Sequence, residues 1–308
     1  MEKLQGSTSM QNKNEDKRKK KISDSFSLHS VTMFETKNAI MNMKTSASQG
    51  TDELSSKLIK EYAKDLVEFV CVTVNKTIST GTFPGCLKSS IITPIYKGAG
   101  LKTEVKSYRP VSNLPTIGKI AESLIEKQMR RYCEKHNLFG HNQFGYRSNR
   151  SRITALLKII TNVRENVSRG KIVGVLQLDL SSAFDMLCKN SLNEMLERYG
   201  FDELSKCLIK SYLSDRTQQT RTDNILSDTL DVPYGTPQGS CISPLLFAMY
   251  LGDMAEVTAL DLTTYADDTA VMAIGDSVEE ITEKLETQGD KIVDYLSTRK
   301  MVANPEKI

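Results

Sequence analysis

Residues 260–274, LDLTTYADDTAVMAI, set two adjacent aspartates between two runs of apolar and β-branched residues. Runs of that composition form strands, and a short polar break between them forms a turn. The segment therefore reads as two strands broken at Ala266-Asp267-Asp268. Like charges at adjacent positions repel, and desolvating them is costly. Neighbouring strand residues point to opposite faces. A turn relaxes that alternation enough for one or both acids to approach a cation. An ordinary solvated turn is the other reading, because aspartate is common in turns.

A second aliphatic run, KIVGVLQLDL (171–180), follows a glycine and carries Asp179 near its end. It reads as a strand. Three acids from two strand ends can thus converge on one sheet face. Their hard oxygens suit Mg²⁺, which keeps waters and substrate phosphates in its shell. Paired ions of this kind serve in-line phosphoryl transfer. No histidine cluster competes, since His29, His136 and His141 lie elsewhere. The absence of a Walker-type glycine loop and of a GxSxG elbow argues against the common NTPase and hydrolase classes. The six cysteines include no CxxC pair. That indicates neither a structural zinc site nor a disulfide framework, and it fits a reduced intracellular compartment.

Helical spacing governs much of the remainder. It predicts a helix from Asp52, as N-cap, to a stop at Gly81 and Pro84. Further helices are expected at 117–136, 152–168, 189–199, 203–213, 243–257 and 277–297. A strand is expected at 89–98, and a hairpin over 217–232 around Asp223-Asn224. Strands and helices mix without steady βα alternation, so the expected class is α+β, an antiparallel sheet backed by helices. The length of 308 residues allows two domains or one large one. A net charge of +3 does not by itself mark a nucleic-acid binder. No apolar run reaches the roughly 18 residues of a membrane span, and the first residues lack an apolar signal segment. Residues 1–50, rich in Ser, Asn, Lys and Thr, are expected to be disordered. Their basic run Lys17-Arg-Lys-Lys-Lys21 is a nucleic-acid tether, a nuclear import signal or a solubilising tail.

Seven blocks follow one another along the chain. They are Ile95-Tyr-Lys-Gly98, Ser107-Tyr-Arg-Pro-Val-Ser-Asn113, Asn142-Gln-Phe-Gly-Tyr-Arg147, Leu178-Asp-Leu-Ser-Ser-Ala-Phe-Asp185, Gly235-Thr-Pro-Gln-Gly-Ser240 with Ser243-Pro-Leu-Leu-Phe247, Tyr265-Ala-Asp-Asp268, and Asn304-Pro-Glu-Lys307. In these blocks and their order, residues 50–308 resemble the reverse transcriptase domain of non-LTR, LINE-type retrotransposons of the jockey/CR1 kind. The resemblance implies an RNA-directed DNA polymerase built from fingers and an antiparallel palm sheet. It places fingers over 51–170 and palm over 171–308, with fingers inserts within 190–235. It implies a truncation before the thumb, since nothing follows Ile308 to build one, and no endonuclease upstream.

The resemblance also implies roles. Asp179, Asp267 and Asp268 are the catalytic ligands of two Mg²⁺ ions, Asp179 and Asp267 the principal bridging pair and Asp268 closer to support or primer, with Mn²⁺ as substitute. Lys97 and Arg109 hold the triphosphate. Phe184 excludes a ribose 2′-hydroxyl, while Gln238 and Gly239 lie against the incoming nucleotide and template. Arg147 and Arg150 contact the template, and Lys307 is the general acid for the pyrophosphate. Partners are an RNA template, a DNA primer and dNTPs, with no membrane, in the nucleus or cytoplasm. Ser182 departs from the family's usual Lys or Arg, so one template or nucleotide contact is missing. Two alternatives stand beside this reading. A catalytically inactive remnant would act as an RNA-binding module, marked by salt-dependent binding without incorporation. A nucleotide cyclase on a palm-type metal site is the other, and the Gly235–Gly239 loop and the finger-like blocks argue against it.

Overall fold

Apolar periodicity and β-branched runs divide the chain into a helical layer and two sheets. The computed structural model describes residues 24–45, 49–180, 184–223 and 225–304. The chain begins with α1 (Met33–Asn42), α2 (Ser56–Glu61) and α3 (Ala63–Thr80). The expected disorder of residues 1–50 does not hold for 24–45. Thr32 and Glu35 form a reciprocal capping box that starts α1, and Phe26, Val31 and Ile40 join the hydrophobic core. The basic run 17–21 lies outside the described residues. The helix expected from Asp52 is two helices meeting at Tyr62, and Ser55 caps the first. Asp52 caps a different helix. Its carboxylate accepts the Thr116 N–H at 2.6 Å, at the start of α4 (Thr116–Lys135).

The first sheet joins β1 (Ser89–Tyr96), β2 (Tyr108–Asn113), β4 (Arg216–Thr222), β5 (Ile225–Leu226) and β6 (Leu230–Val232). It is mixed, because β1 runs parallel to β4 and antiparallel to β2. Pro110 hides β2 from pattern reading, since proline donates no ladder bond. The strand survives because it is an edge, with Pro110 opposite Pro94.

The second sheet is antiparallel, in the order β3 (Ile172–Leu178), β8 (Asp268–Gly275), β7 (Asp261–Tyr265). Two helices cover it. Gly174 and Leu176 of β3 meet α9 (Val278–Thr298). Gln177 and Asp179 line a cleft with Ala155 and Ile159 of α5 (Arg152–Ser168). The two-residue period of the strand thus sends Asp179 to the α5 side.

Three further helices, α6 (Lys189–Arg198), α7 (Glu203–Leu213) and α8 (Ile242–Tyr250), pack against other helices of the chain. In α8 the sequence ISPLLFAMY is apolar nearly all round, and eight of its nine residues are buried. Such a helix belongs in the core, and each large side chain there stabilises by about 1.5–3 kcal/mol. The expectation of a helix to 257 is cut short: α8 ends at Tyr250, and a 3-10 turn over Met254–Glu256 follows. Among the described residues no helix is long and apolar enough to cross a membrane.

Candidate active site

The register of the second sheet brings the acids together. Leu178 pairs with Thr269, so one further step sets Asp179 across from Asp268. Both line one cleft of about 470 Å³, beside Tyr265. Asp267 sits half-buried in the turn between β7 and β8. Tyr265 pairs with Asp268, which leaves only Ala266 and Asp267 in the loop. Ala266 closes it with a φ of +58°, a region alanine rarely adopts. The carbonyl of Asp179 accepts the Asn304 N–H at 2.8 Å, and Leu180 bridges to Ala303. Asn304, the first residue of the last block, therefore lies beside the first acid. Lys307 and Ser182 lie outside the described residues.

Among the described residues no three His, Cys, Asp or Glu side chains gather into a group that could hold a metal ion. Mg²⁺ does not need three. It takes one or two carboxylates and completes its octahedron with water and substrate phosphates. Asp179 and Asp268, hard donors on one open cleft, fit that pattern.

Phe184 lies half-buried next to this end of the sheet. Its ring stands 5.3 Å from that of Phe247 and 6.2 Å from that of Tyr146. Its carbonyl accepts the Thr236 N–H at 2.9 Å, which draws the loop 235–239 against it. The other side of that loop rests on β2. The Ser112 N–H donates to the Gln238 carbonyl at 2.7 Å. A Cβ at Gly239 would stand 2.4 Å from the Ser112 carbonyl oxygen, so glycine permits the contact. The Gln238 amide donates to both oxygens of Asp185, at 3.3 and 3.2 Å. Desolvation raises the Asp185 pKa, and the Gln238 hydrogen bonds oppose the rise.

Pattern reading missed what holds the loop's far end. Glu122 of α4 is buried, accepting the Tyr212 hydroxyl and the Cys241 N–H, each at 2.9 Å. Ser240 accepts the N–H groups of Ile242 and Ser243 at the start of α8 and meets Tyr212 at 2.7 Å. Gln143 was likewise missed: its side-chain oxygen accepts the N–H groups of Gly145 and Ala266.

The cations divide into two kinds. Arg109 is exposed on β2, and its side chain makes no hydrogen bond or ion pair among the described residues. Lys97 is exposed just past β1, with its ammonium on the Lys106 carbonyl at 2.7 Å. Arg147 faces inward. It pairs with Glu134 at 2.6 Å, donates to the Gly140 carbonyl at 2.6 Å and covers the Phe139 ring. Arg150 donates to the carbonyls of His141 and Gln143 and lies over Phe144. These two arginines staple their own loop.

Residues 97–308 match the family model described as reverse transcriptase (RNA-dependent DNA polymerase). The chain is 29% identical over 291 residues to the RNA-directed DNA polymerase from mobile element jockey of Drosophila melanogaster, covering 92% of this chain and 32% of that protein. The protein of the same name from Drosophila funebris is 26% identical over 273 residues, covering 86% of this chain and 30% of that protein. A retrovirus-related Pol polyprotein from type-1 retrotransposable element R2 of Popillia japonica is 25% identical over 149 residues, covering 48% of this chain and 20% of that protein. The chain spans about a third of the length of its jockey relatives.

Proposed function

Because the chain belongs to the reverse transcriptase (RNA-dependent DNA polymerase) family, we propose that it adds deoxynucleotides to a primer 3′-hydroxyl on an RNA template, as part of a non-LTR retrotransposon. The observation that carries this reading is the convergence of Asp179 and Asp268 on one cleft, with Asp267 on the adjoining turn. In this reading the three aspartates hold two Mg²⁺ ions, or Mn²⁺ in their place. When bound, such ions supply Lewis acidity at the attacking and departing oxygens.

The remaining roles fall to residues beyond those that line the cleft. Arg109, without an internal partner among the described residues, grips phosphate oxygens in a bidentate fork, and Lys97 adds a point charge. Phe184 closes the sugar side against a 2′-hydroxyl. Gln238 and Gly239, seated on β2, form the floor under the nucleotide and template. Lys307 gives a proton to the departing pyrophosphate. Residues 51–170 serve as fingers and 171–308 as palm. The pairing of β4 and β6 into the sheet of β1 and β2 supports assigning 216–232 to the fingers. Arg147 and Arg150, turned to internal partners, receive no template contact in this scheme.

Primer extension on an annealed RNA template with dNTPs and Mg²⁺ tests the reading, beside a double variant, Asp267→Asn with Asp268→Asn. Incorporation by the parent and a loss of roughly 10³-fold or more in the double variant is the expected result. A folded parent that binds RNA with steep salt dependence yet incorporates nothing would replace this reading by an RNA-binding module.

A further inference from the structure

Residues 142–147 touch both the acidic turn and Phe184. Their first half extends the second sheet. The Thr264 N–H donates to the Asn142 carbonyl at 2.9 Å, and the Phe144 N–H donates to the Thr264 carbonyl at 2.7 Å. Gln143 thereby pairs in parallel with Thr264 of β7. Its residue is 4% exposed. One side-chain oxygen, Oε1, accepts the Gly145 N–H at 2.7 Å and the Ala266 N–H at 3.3 Å. The strained residue of the acidic turn is therefore gripped from outside its own hairpin. Gly145 runs so close that a Cβ there would stand 2.2 Å from the Ala266 nitrogen.

The second half of the segment reaches Phe184. Tyr146 also has a left-handed backbone, with φ +59°. Its carbonyl accepts the Arg130 guanidinium, which pairs with Glu126 at 2.5 Å. Its ring meets the Phe184 ring edge-on, at 70°. Phe184 is thus fixed on one side by Tyr146 and on the other by the buried Phe247. Ala266 and Tyr146, two non-glycine residues at positive φ, mark places where surrounding structure over-determines the backbone.

We infer that Gln143 and Tyr146 are positioning residues: Gln143 fixes the acidic turn through Ala266, and Tyr146 fixes the ring of Phe184. The inference rests on the roles given to Asp267, Asp268 and Phe184 under Proposed function. Gln143 then governs the rate for every nucleotide, because small displacements of catalytic groups slow the chemical step. Tyr146 governs the choice between deoxyribose and ribose, because a Phe184 ring free to tilt no longer blocks a 2′-hydroxyl.

The test uses the full chain and three variants, Gln143→Ala, Tyr146→Ala and Tyr146→Phe. Hydrogen exchange is followed over 262–270, and single-nucleotide addition is compared for dNTPs and rNTPs. Gln143→Ala is expected to lose protection over 262–270 while α8 keeps its own. Its kcat falls about 10- to 100-fold with KM changed less than about threefold. Tyr146→Ala is expected to lower the dNTP-over-rNTP preference about tenfold or more, and Tyr146→Phe, which keeps the ring, to retain it. Unchanged protection in Gln143→Ala overturns the first role, and an unchanged sugar preference in Tyr146→Ala overturns the second. Protection lost throughout, α8 included, assigns both residues to folding alone and overturns both roles. A parent that incorporates nothing defeats the proposed function and the sugar-selection role with it. The exchange comparison still decides whether Gln143 holds the turn.

Discussion

Glu122 is a carboxyl group 1% exposed, and two donors reach it from elements far away in sequence. Desolvation raises its pKa, outweighing the hydrogen bonds from Ser240, Cys241 and Tyr212 and the charge of Arg216. A raised carboxyl pKa means that the folded chain holds the proton more tightly than the unfolded chain. Its contribution to stability is therefore fully present below the usual carboxyl value of 4.5 and is lost as pH rises through the folded value. Glu122→Gln removes the titration and keeps the shape. The stability of the parent minus that of Glu122→Gln is expected to fall as pH rises from 4.5, read from urea midpoints in a pH series. A flat difference would show that the carboxyl titrates alike in both states. Glu122→Ala strands the Cys241 N–H and the Tyr212 hydroxyl, at a cost of about 1–3 kcal/mol. No periodicity distinguishes this glutamate from the others on α4, because its environment is made by α7 and the loop before α8. The aspartates of 267 and 268 were legible for the opposite reason: two acids stand inside apolar runs.

The β7–β8 hairpin is the element on which the site depends, and its turn fits only because residue 145 has no side chain. Gly145→Ala places a methyl 2.2 Å from the Ala266 nitrogen and 2.8 Å from its Cα. Both obstacles are backbone and cannot swing aside, so the turn itself must move. The expected loss is about 1–3 kcal/mol, measured by urea unfolding. Gly85→Ala is the control, since nothing lies within 4 Å of its added Cβ and its φ is not positive, and it should stay within about 0.5 kcal/mol of the parent. Equal stability of the two variants would show that the turn tolerates displacement. At this scale the sequence is readable where pattern is local. The periodicity of α4, α5 and α9 and the β-branched runs of β3, β7 and β8 are carried by the segments themselves. The strand β2 was hidden by a proline that only an edge position tolerates, and α1 by a polar composition that conceals a capping box. The parallel pairing of β1 with β4 joins residues 128 apart, as the contact of Ser89 with Thr217 shows. The grip of Gln143 on Ala266 spans 123 positions. Contacts of that range leave no period in either segment.

At the scale of the molecule, a net charge of +3 understates what one edge presents. Lys97, Lys102, Lys106 and Arg109 are all exposed along the loop from the end of β1 into β2, with Glu104 as the single acid among residues 96–109. Among the described residues Glu104 pairs only with Lys106, at 3.3 Å. The other three have no carboxylate partner among the described residues. An array of this kind displaces counterions when it meets a polyanion, and binding then weakens with salt. For single-stranded nucleic acid the logarithm of affinity falls against the logarithm of salt with a slope of about −0.7 per phosphate neutralised. The full chain should therefore bind a short single-stranded RNA with a measurable negative slope in fluorescence anisotropy. Lys97→Ala and Arg109→Ala, each alone, should make that slope less negative by roughly 0.7, and the pair by about twice that, if both meet phosphate. Lys64→Ala, an exposed cation on α3, is the comparison and should leave it unchanged. A slope that ignores both hairpin cations would separate the β1–β2 edge from the nucleic-acid path and leave Arg109 to the nucleotide alone. In that event the same two variants should still raise the KM for dNTP, because a triphosphate carries its charge to them without any polymer bound.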